Sequence, residues 1–257
     1  MNRIDKLFKA KEKNILSVYF TAGYPNLNDT LPVIQALEAQ GVELIEVGIP
    51  FSDPMADGPT IQQSGTVALR NGMTLKTLFG QLKDVRQSVN IPLIMMGYLN
   101  PILQYGIENF CRDCAEVGID GMIIPDLPFS DYLSQFKPVV ERYGLHCIML
   151  ITPETSEERV RQIDENTSGF IYMVSTASTT GAKDSFDERT LDYFQRIDAM
   201  NLRNPRLIGF GISNKATFDA ACEQSSGGII GSTFIRLLGE SSDISSAACR
   251  LIEIMGR

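Results

Sequence analysis

A carboxyl group inside an apolar run is the first feature of this sequence that could do chemistry. Glu46 lies in Leu44-Ile-Glu-Val-Gly48, a run that predicts a buried strand. A buried carboxylate is costly unless it is paired or used in chemistry. Asp57 follows in the proline-rich loop after this run, and two carboxyl groups so placed would suit general acid–base catalysis. Alternatively, Glu46 stands at a solvated strand end and Asp57 caps the helix expected from Pro59.

Other polar side chains follow other apolar runs. Asp126 lies in Pro125-Asp-Leu-Pro128, where it is either a third acid–base candidate or a turn residue. Aromatic side chains on buried strands usually belong to the core, but they can also line a pocket for an aromatic ligand. The polar and aromatic candidates near predicted strand ends are Tyr19, Tyr98, Asn100 and Tyr172.

The single histidine narrows the chemistry. The chain has 257 residues and 1 His, so histidine-based triads, two-histidine metal sites and histidine relays lack partners. We expect His146 to be structural. The 5 cysteines are an odd number and Cys111-Arg-Asp-Cys114 lacks a second pair, which favours structural thiols and no metal site. Acid–base chemistry would fall to carboxylates, tyrosines or lysines.

The formal net charge of −8 argues against nucleic acid and against an anionic membrane, because both require a basic surface. A phosphate ligand would have to be held without a large positive field, and backbone N–H groups of glycine-rich turns and helix N-termini can do this. Gly209-Phe-Gly-Ile-Ser213 and Gly231-Ser232 have this composition and predict a phosphate site. The same glycines could instead serve turn geometry alone.

The elements that would position these residues are short apolar runs, each followed by turn residues and an amphipathic segment of helical length. Such runs predict buried parallel strands that alternate with helices. The predicted strands span 15–20, 43–48, 92–96, 120–124, 146–151, 169–174, 206–209 and 228–230. The predicted helices lie near 27–40, 59–70, 74–89, 107–117, 131–143, 156–165, 187–200, 214–224 and 244–256.

This alternation predicts an α/β fold, a (β/α)8 TIM barrel in a single domain over residues 1–257. An open doubly wound sheet is the alternative, although no GxGxxG follows the first strand. Ile4, Leu7 and Phe8 are spaced as on an extra N-terminal helix. The segment Met1–Lys13 lacks the apolar run of a signal peptide, and no apolar stretch of about 18 residues occurs. We therefore expect a cytoplasmic protein.

Two loops are longer than a strand-to-helix turn requires, Pro50–Pro59 and Ser175–Ser185. Both follow the carboxyl ends of predicted strands, where the active sites of such barrels lie. The second loop is small and polar, which is typical of a lid that closes over a ligand.

These residues resemble the motifs of a known family. The run Leu44-Ile-Glu-Val-Gly-Ile-Pro-Phe-Ser-Asp-Pro-Met-Ala-Asp-Gly-Pro-Thr-Ile-Gln62 closely resembles the signature of the tryptophan synthase α subunit family. Further resemblances follow in order over about residues 15–236. They are Tyr19-Phe-Thr-Ala-Gly-Tyr-Pro25, Gly97-Tyr-Leu-Asn-Pro101, Pro125-Asp-Leu-Pro128, Thr180-Gly181, Gly209-Phe-Gly-Ile-Ser213 and Gly231-Ser232.

The resemblance implies a lyase that cleaves indole-3-glycerol phosphate to indole and glyceraldehyde 3-phosphate. Glu46 and Asp57 match the two catalytic acids of the family, Glu46 as general acid and base and Asp57 as acceptor of the indole N–H. The resemblance also implies a β subunit partner in an α2β2 tetramer. Pyridoxal phosphate would belong to that partner, so this chain would need no cofactor. Pro50, Asp53 and Asn100 match positions that face the partner.

The resemblance further implies how substrate is bound. The phosphate would be held by glycines and a serine after the last strands and in the lid, while aromatic side chains would border the indole. Thr180 would contact Asp57 when the lid closes. The implied substrate-binding residues are Tyr19, Tyr98, Ile123, Tyr172, Thr180, Gly181, Phe210, Gly211, Gly231 and Ser232.

The chain departs from the family pattern at two places. Thr176–Gly181 reads Thr-Ala-Ser-Thr-Thr-Gly where members often carry Arg-x-Gly-x-Thr-Gly, and Tyr19 stands where some members have Phe. Two other functions stay open. One is a phosphosugar isomerase or aldolase; a Schiff-base aldolase would require a Lys at a strand end, and Lys183 in the second loop is the nearest. A regulatory chain that only binds would not require paired carboxylates.

Overall fold

The strands of the protein form one parallel sheet. The computed structural model describes residues 1–175 and 186–257, and the description below concerns these residues. The strand segments are β1 (Ile15–Thr21), β2 (Leu44–Gly48), β3 (Leu93–Met96), β4 (Gly121–Ile123), β5 (His146–Ile148), β6 (Leu150–Ile151), β7 (Ile171–Val174), β8 (Arg206–Gly209) and β9 (Gly227–Ile230).

The sheet closes into a barrel. Its strand order is β5-β4-β3-β2-β1-β9-β8-β7-β6, and all pairs are parallel. β5 and β6 are separated only by Met149, so the two ends of this order belong to one interrupted strand. The predicted fifth strand over 146–151 is therefore present but broken. The (β/α)8 barrel is confirmed, and the open-sheet alternative is wrong.

Helices follow the strands and cover the outside of the barrel. Most predicted helices are present within a few residues of their expected ends. The helices are α1 (Arg3–Ala10), α2 (Thr30–Ala39), α3 (Pro59–Arg70), α4 (Leu75–Leu82), α5 (Leu99–Tyr105), α6 (Ile107–Val117), α7 (Phe129–Asp131), α8 (Lys137–Arg142), α9 (Glu157–Asn166), α10 (Glu188–Asp198), α11 (Lys215–Gln224), α12 (Ser232–Glu240) and α13 (Ile244–Met255). A π-helical turn, Tyr132–Phe136, joins α7 to α8.

Three helices differ from the prediction. The helix expected over 74–89 ends at Leu82, and a short 3-10 turn, Val85–Gln87, follows it. Helix α5 was not predicted, because Pro101 resembles a turn signal; it lies in the first helical turn, where a missing N–H costs no intrahelical bond. Helix α12 was also not predicted, because it is short and begins directly after a glycine-serine pair.

Alternation along the strands separates two cores. On β1, Ile15 belongs to the cluster inside the barrel, whereas Leu16 and Val18 belong to the cluster between the sheet and the helices. The inner cluster also contains Leu44, Ile94, Ile123, Ile148, Phe170, Tyr172, Val174, Leu207 and Ile229. Because successive side chains point to opposite faces of a strand, this pattern places Ser17 and Glu46 inside the barrel with that cluster.

The predicted N-terminal helix α1 packs against the inner core. Ile4 on this helix is fully buried in the inner cluster, with Leu7 and Phe8 packed against it. Asp120, at the amino end of β4, accepts hydrogen bonds from Arg3 at 3.1 Å and Arg86 at 2.7 Å. These contacts hold α1 across the amino-terminal end of the barrel. A ligand would therefore enter at the opposite end, where the strands have their carboxyl ends.

The segment after α1 and the last residue of the chain meet at Glu43. This carboxylate accepts hydrogen bonds from Lys11, from the backbone N–H of Leu16 and from Arg257. Burial by itself would raise the pKa of Glu43, but these hydrogen bonds outweigh burial and lower it. Glu43 therefore joins parts of the chain that are far apart in sequence.

The histidine and the two cysteines that were predicted to be structural lie among residues of the fold. His146 contacts Asp5 through Nε2 at 2.9 Å and Ser168 through Nδ1 at 2.6 Å. Cys111 and Cys114 are buried as free thiols on α6. Across residues 1–175 and 186–257, no cluster of His, Cys, Asp and Glu could hold a metal, and no helix is both long and apolar enough to cross a membrane.

Candidate active site

Glu46 is a buried carboxyl group near the open end of the barrel. It lies on β2 opposite Tyr19 of β1, and its exposed fraction is 0%. Its Oε1 accepts a hydrogen bond of 2.8 Å from Ser17 Oγ, and its Oε2 has no hydrogen-bond partner among the described residues. Burial raises the pKa of Glu46 to about 8, and the bond from Ser17 opposes that rise. A carboxyl group with such a pKa can give and take a proton near neutral pH.

Asp57 lies in the loop between β2 and α3 and is half-buried. Its Oδ2 accepts a hydrogen bond of 3.0 Å from the hydroxyl of Tyr98. The same hydroxyl accepts a bond of 3.0 Å from the backbone N–H of Ala56, and the Tyr98 ring stacks on Phe51. Tyr98 thus holds the loop against the start of α5. Burial raises the pKa of Asp57, which indicates a carboxylate partly shielded from water.

Tyr19 and Tyr172 lie near enough to both carboxyl groups to feel their charges. Burial, followed by the charges of Glu46 and Asp57, raises the pKa of Tyr172. Burial is also the main cause of the raised pKa of Tyr19, to which both carboxylates contribute. The phenols lie over Gly48 and Gly209, where a Cβ would come within 2.3 Å and 2.1 Å of the Tyr19 and Tyr172 hydroxyls respectively. Glycine at these positions therefore makes room for both rings.

The turn after β8 has a backbone suited to an anion. Phe210 and Gly211 both have positive φ, at 67° and 74°. Such a conformation is uncommon for a phenylalanine, and residues of this kind cluster at functional sites. Ser175 Oγ donates a hydrogen bond of 2.7 Å to the carbonyl of Phe210 and so fixes the turn. Ser213 Oγ is buried without a hydrogen-bond partner among the described residues, so it is free to bond to a ligand or to water.

The first turn of the unpredicted helix α12 has a second backbone arrangement suited to an anion. Gly231 precedes the helix, no side chain caps its first turn, and Ser232 is exposed. The first N–H groups of a helix have no partner within it and attract negative charge. A Cβ on Gly231 would lie 3.4 Å from the Tyr19 ring, so this helix begins beside the carboxyl-lined site.

The structure brings most of the predicted residues to the carboxyl ends of the strands. Ile123 is the last residue of β4 and is fully buried in the inner cluster. Asp126, the third carboxyl candidate, accepts a hydrogen bond of 2.8 Å from the backbone N–H of Leu99, which fits its alternative interpretation as a turn residue. Thr180 and Gly181 lie outside the described residues, as does most of the predicted lid over 175–185.

The predicted partner-facing residues lie on the outer side of the same end. Pro50 is half-buried, whereas Asp53 and Asn100 are exposed. Met55, in the same loop as Asp53, is 95% exposed. Ser17 was not predicted to act at the site, whereas Ser213 belongs to the Gly209–Ser213 cluster from which the phosphate site was predicted. A serine within an apolar strand was the signal available for Ser17, since its neighbours in that run are apolar.

Burial of Glu46 predicts a specific dependence of stability on pH. Between its ordinary pKa of 4.5 and about 8, the folded protein holds a proton that the unfolded chain has released. The free energy of unfolding should therefore fall as pH rises through this window. From about pH 5 to about pH 8.5, we expect the free energy of unfolding of the parent to fall by about 2–5 kcal/mol more than that of Glu46→Gln. Urea unfolding at both pH values measures this difference, and parallel losses in the two proteins would contradict it.

Comparison with known proteins gives a consistent result. Residues 6–256 match the sequence profile described as "Tryptophan synthase alpha chain". The tryptophan synthase alpha chain of Parabacteroides distasonis is 62% identical over 255 residues, which covers 99% of both chains. That of Bacteroides thetaiotaomicron is 63% identical over 251 residues and covers 98% of both.

Solved structures agree with the sequence matches. The tryptophan synthase subunit alpha of Legionella pneumophila superposes with a TM-score of 0.88 at 35% identity, covering 99% of this chain and 97% of that one. The tryptophan synthase A-subunit of Pyrococcus furiosus has a TM-score of 0.87 at 32% identity, covering 96% and 100%.

Proposed function

The chain belongs to the tryptophan synthase alpha chain family, and on this basis we propose how its site cleaves indole-3-glycerol phosphate to indole and glyceraldehyde 3-phosphate. The observation that carries the mechanism is the buried Glu46 beside the loop carboxylate Asp57, both acting on the same two tyrosines. The reaction is a retro-aldol cleavage, which requires proton transfers at both ends of the breaking bond.

Glu46 supplies those proton transfers. Cleavage needs a proton on indole C3, loss of the proton from the adjacent glycerol hydroxyl, and release of the C–C bond electrons to the ring. The hydroxyl carbon then becomes the aldehyde of glyceraldehyde 3-phosphate. A carboxyl group whose pKa is about 8 exists in both protonation states near neutral pH, so it can act as the acid and then as the base.

Asp57 stabilises the charge that develops on the indole ring. Protonation at C3 makes the ring nitrogen positive, and a carboxylate that accepts a hydrogen bond from the ring N–H offsets that charge. Tyr98 holds the Asp57 side chain by the 3.0 Å hydrogen bond described above. We assign Tyr19, Tyr172 and Phe210 to the walls of the indole pocket, because two of these rings surround Glu46 and Phe210 packs edge-on against Tyr172.

The phosphate is assigned to the two glycine-containing turns at the carboxyl ends of β8 and β9. Gly211, Gly231 and Ser232 offer backbone N–H groups there, and the start of α12 offers an uncapped helix N-terminus. This mode of binding uses no basic side chain, which suits a chain of net charge −8. Gly181 and Thr180 are proposed to complete the site from the lid.

We further propose that residues 1–257 act as one catalytic domain, in the cytoplasm, beside a β subunit. The family implies such a partner, and the exposed loop residues Asp53 and Met55 together with Asn100 offer it a surface. The α2β2 tetramer is the proposed assembly. Pyridoxal phosphate is assigned to the β subunit, because the proton transfers above require only carboxyl groups of this chain.

An assay of indole release tests the proposal. We expect the isolated chain to release indole slowly from indole-3-glycerol phosphate, and a β subunit to accelerate the release strongly. Fluorescence of the released indole, or its extraction and quantification, measures both rates. No turnover even with a β subunit would contradict the proposal and favour a regulatory chain that only binds.

A further inference from the structure

Ser17 has a contact that the reaction described so far does not use. It lies on β1 inside the barrel, and its exposed fraction is 0%. Its Oγ donates a hydrogen bond of 2.8 Å to Glu46 Oε1, and both groups are fully buried. A buried hydroxyl needs a hydrogen-bond partner, and Glu46 is that partner.

The two oxygens of Glu46 are therefore not equivalent. Oε1 is occupied by Ser17, whereas Oε2 is buried and has no hydrogen-bond partner among the described residues. An unpaired buried oxygen carries a desolvation cost that a substrate proton would relieve. We propose that Ser17 is a positioning residue, which fixes the Glu46 carboxyl so that Oε2 exchanges the proton with substrate. This inference rests on the proposed function.

The surroundings of Ser17 support a role beyond packing. The neighbouring positions inside the barrel are apolar, with Ile15 two residues before it on β1 and Leu44 opposite it on β2. An alanine would suit that environment without leaving a hydroxyl to be satisfied. The hydroxyl of Ser17 is explained by Glu46, which lies diagonally across from it on β2. Diagonal neighbours on one face of a strand pair are close enough for their side chains to touch.

The hydrogen bond from Ser17 also acts on the proton affinity of Glu46. A hydroxyl that donates to a carboxylate favours the charged form, and this opposes the effect of burial. The titratable groups that face Glu46 are the phenols of Tyr19 on β1 and Tyr172 on β7, with Asp57 on the loop beyond β2. Both phenols have a raised pKa and stay neutral. Burial raises the pKa of Glu46, and the hydrogen bond from Ser17 lowers it back towards neutral pH.

The test compares Ser17→Ala with two matched variants. Ser17→Thr keeps a hydroxyl at the same position, and Ser64→Ala removes a different buried serine hydroxyl, one that lies 2.7 Å from Thr21 Oγ1. The pKa of Glu46 is read from the infrared band of its protonated carboxyl group, assigned by its loss in Glu46→Gln. We expect Ser17→Ala to raise that pKa by about 1 pH unit, and the other two variants to leave it near the parent value.

Kinetics give a second readout. In Ser17→Ala, kcat for indole release should fall by about tenfold with KM nearly unchanged. Because Glu46 acts first as the acid, the basic limb of the pH–rate profile should move up with the pKa of Glu46. Circular dichroism and thermal unfolding establish that each variant is folded. If folded Ser17→Ala keeps the Glu46 pKa of the parent, the positioning role of Ser17 is overturned. It is also overturned if kcat falls by the same factor in Ser17→Ala and Ser64→Ala. The infrared titration needs no substrate, so absent indole release in the parent would overturn the proposed function separately.

Discussion

Replacement of Glu46 by Gln is expected to lower kcat for indole release by about 10²–10⁴-fold, the range typical of a lost general acid–base group. Gln has nearly the same shape and can still accept the hydrogen bond from Ser17, so the geometry around it should be preserved. What the amide lacks is a proton that can be given to indole C3 and taken from the glycerol hydroxyl. Steady-state kinetics with and without a β subunit measure the loss.

Unfolding controls distinguish chemistry from damage to the fold. Glu46 is fully buried and must take up a proton on folding at neutral pH, a cost that the neutral amide of Gln avoids. Glu46→Gln should therefore be at least as stable as the parent at neutral pH, even as its activity falls. A folded variant with parental kcat would exclude Glu46 as the proton-transfer group.

Replacement of Asp57 by Asn is expected to lower kcat/KM by about 10²–10³-fold, because the positive charge on the indole ring then loses a buried counter-charge. The Asn oxygen can still accept the hydrogen bond from Tyr98, so the loop should keep its position. The measurement is kcat/KM of the isolated chain, with Asp84→Asn as a control at an exposed carboxylate outside the site.

The two carboxylate variants should also differ from each other in pH dependence. Removing Glu46 removes a group with a pKa of about 8 from the pH–rate profile, whereas removing Asp57 leaves that group in place. If Asp57→Asn retained parental kcat/KM in a folded protein, the ring nitrogen would need another stabilising group. The charge on Asp57 would then have no part in the proposed mechanism.

Periodicity in the sequence was sufficient to predict the barrel. Alternating short apolar runs and amphipathic segments predicted the strands and most of the helices, and the extra helix over Ile4, Leu7 and Phe8 is present. The errors have local causes. Met149 is as apolar as its neighbours, so nothing in the sequence marked the break between β5 and β6. Helix α12 is only 9 residues long and follows turn residues.

The candidate site was predictable in part. Glu46 was identified as a carboxyl group in an apolar strand, and the glycine clusters after the last strands were identified by composition. The partners of these groups were not, because they depend on which residues face each other across strands. Tyr19 lies opposite Glu46, and Ser17 lies diagonal to it, only because of the register between β1 and β2. The unpaired Ser213 oxygen likewise depends on burial, which no local pattern reports.

The meeting of Lys11 and Arg257 at Glu43 links the residue that follows α1 to the residues that follow α13, just before β2. The neighbouring strand β1 also pairs with β9, so the early and late strands of the barrel meet in the same region. Partly exposed ion pairs therefore reinforce a region that backbone hydrogen bonds already close, and salt should weaken only the ion pairs.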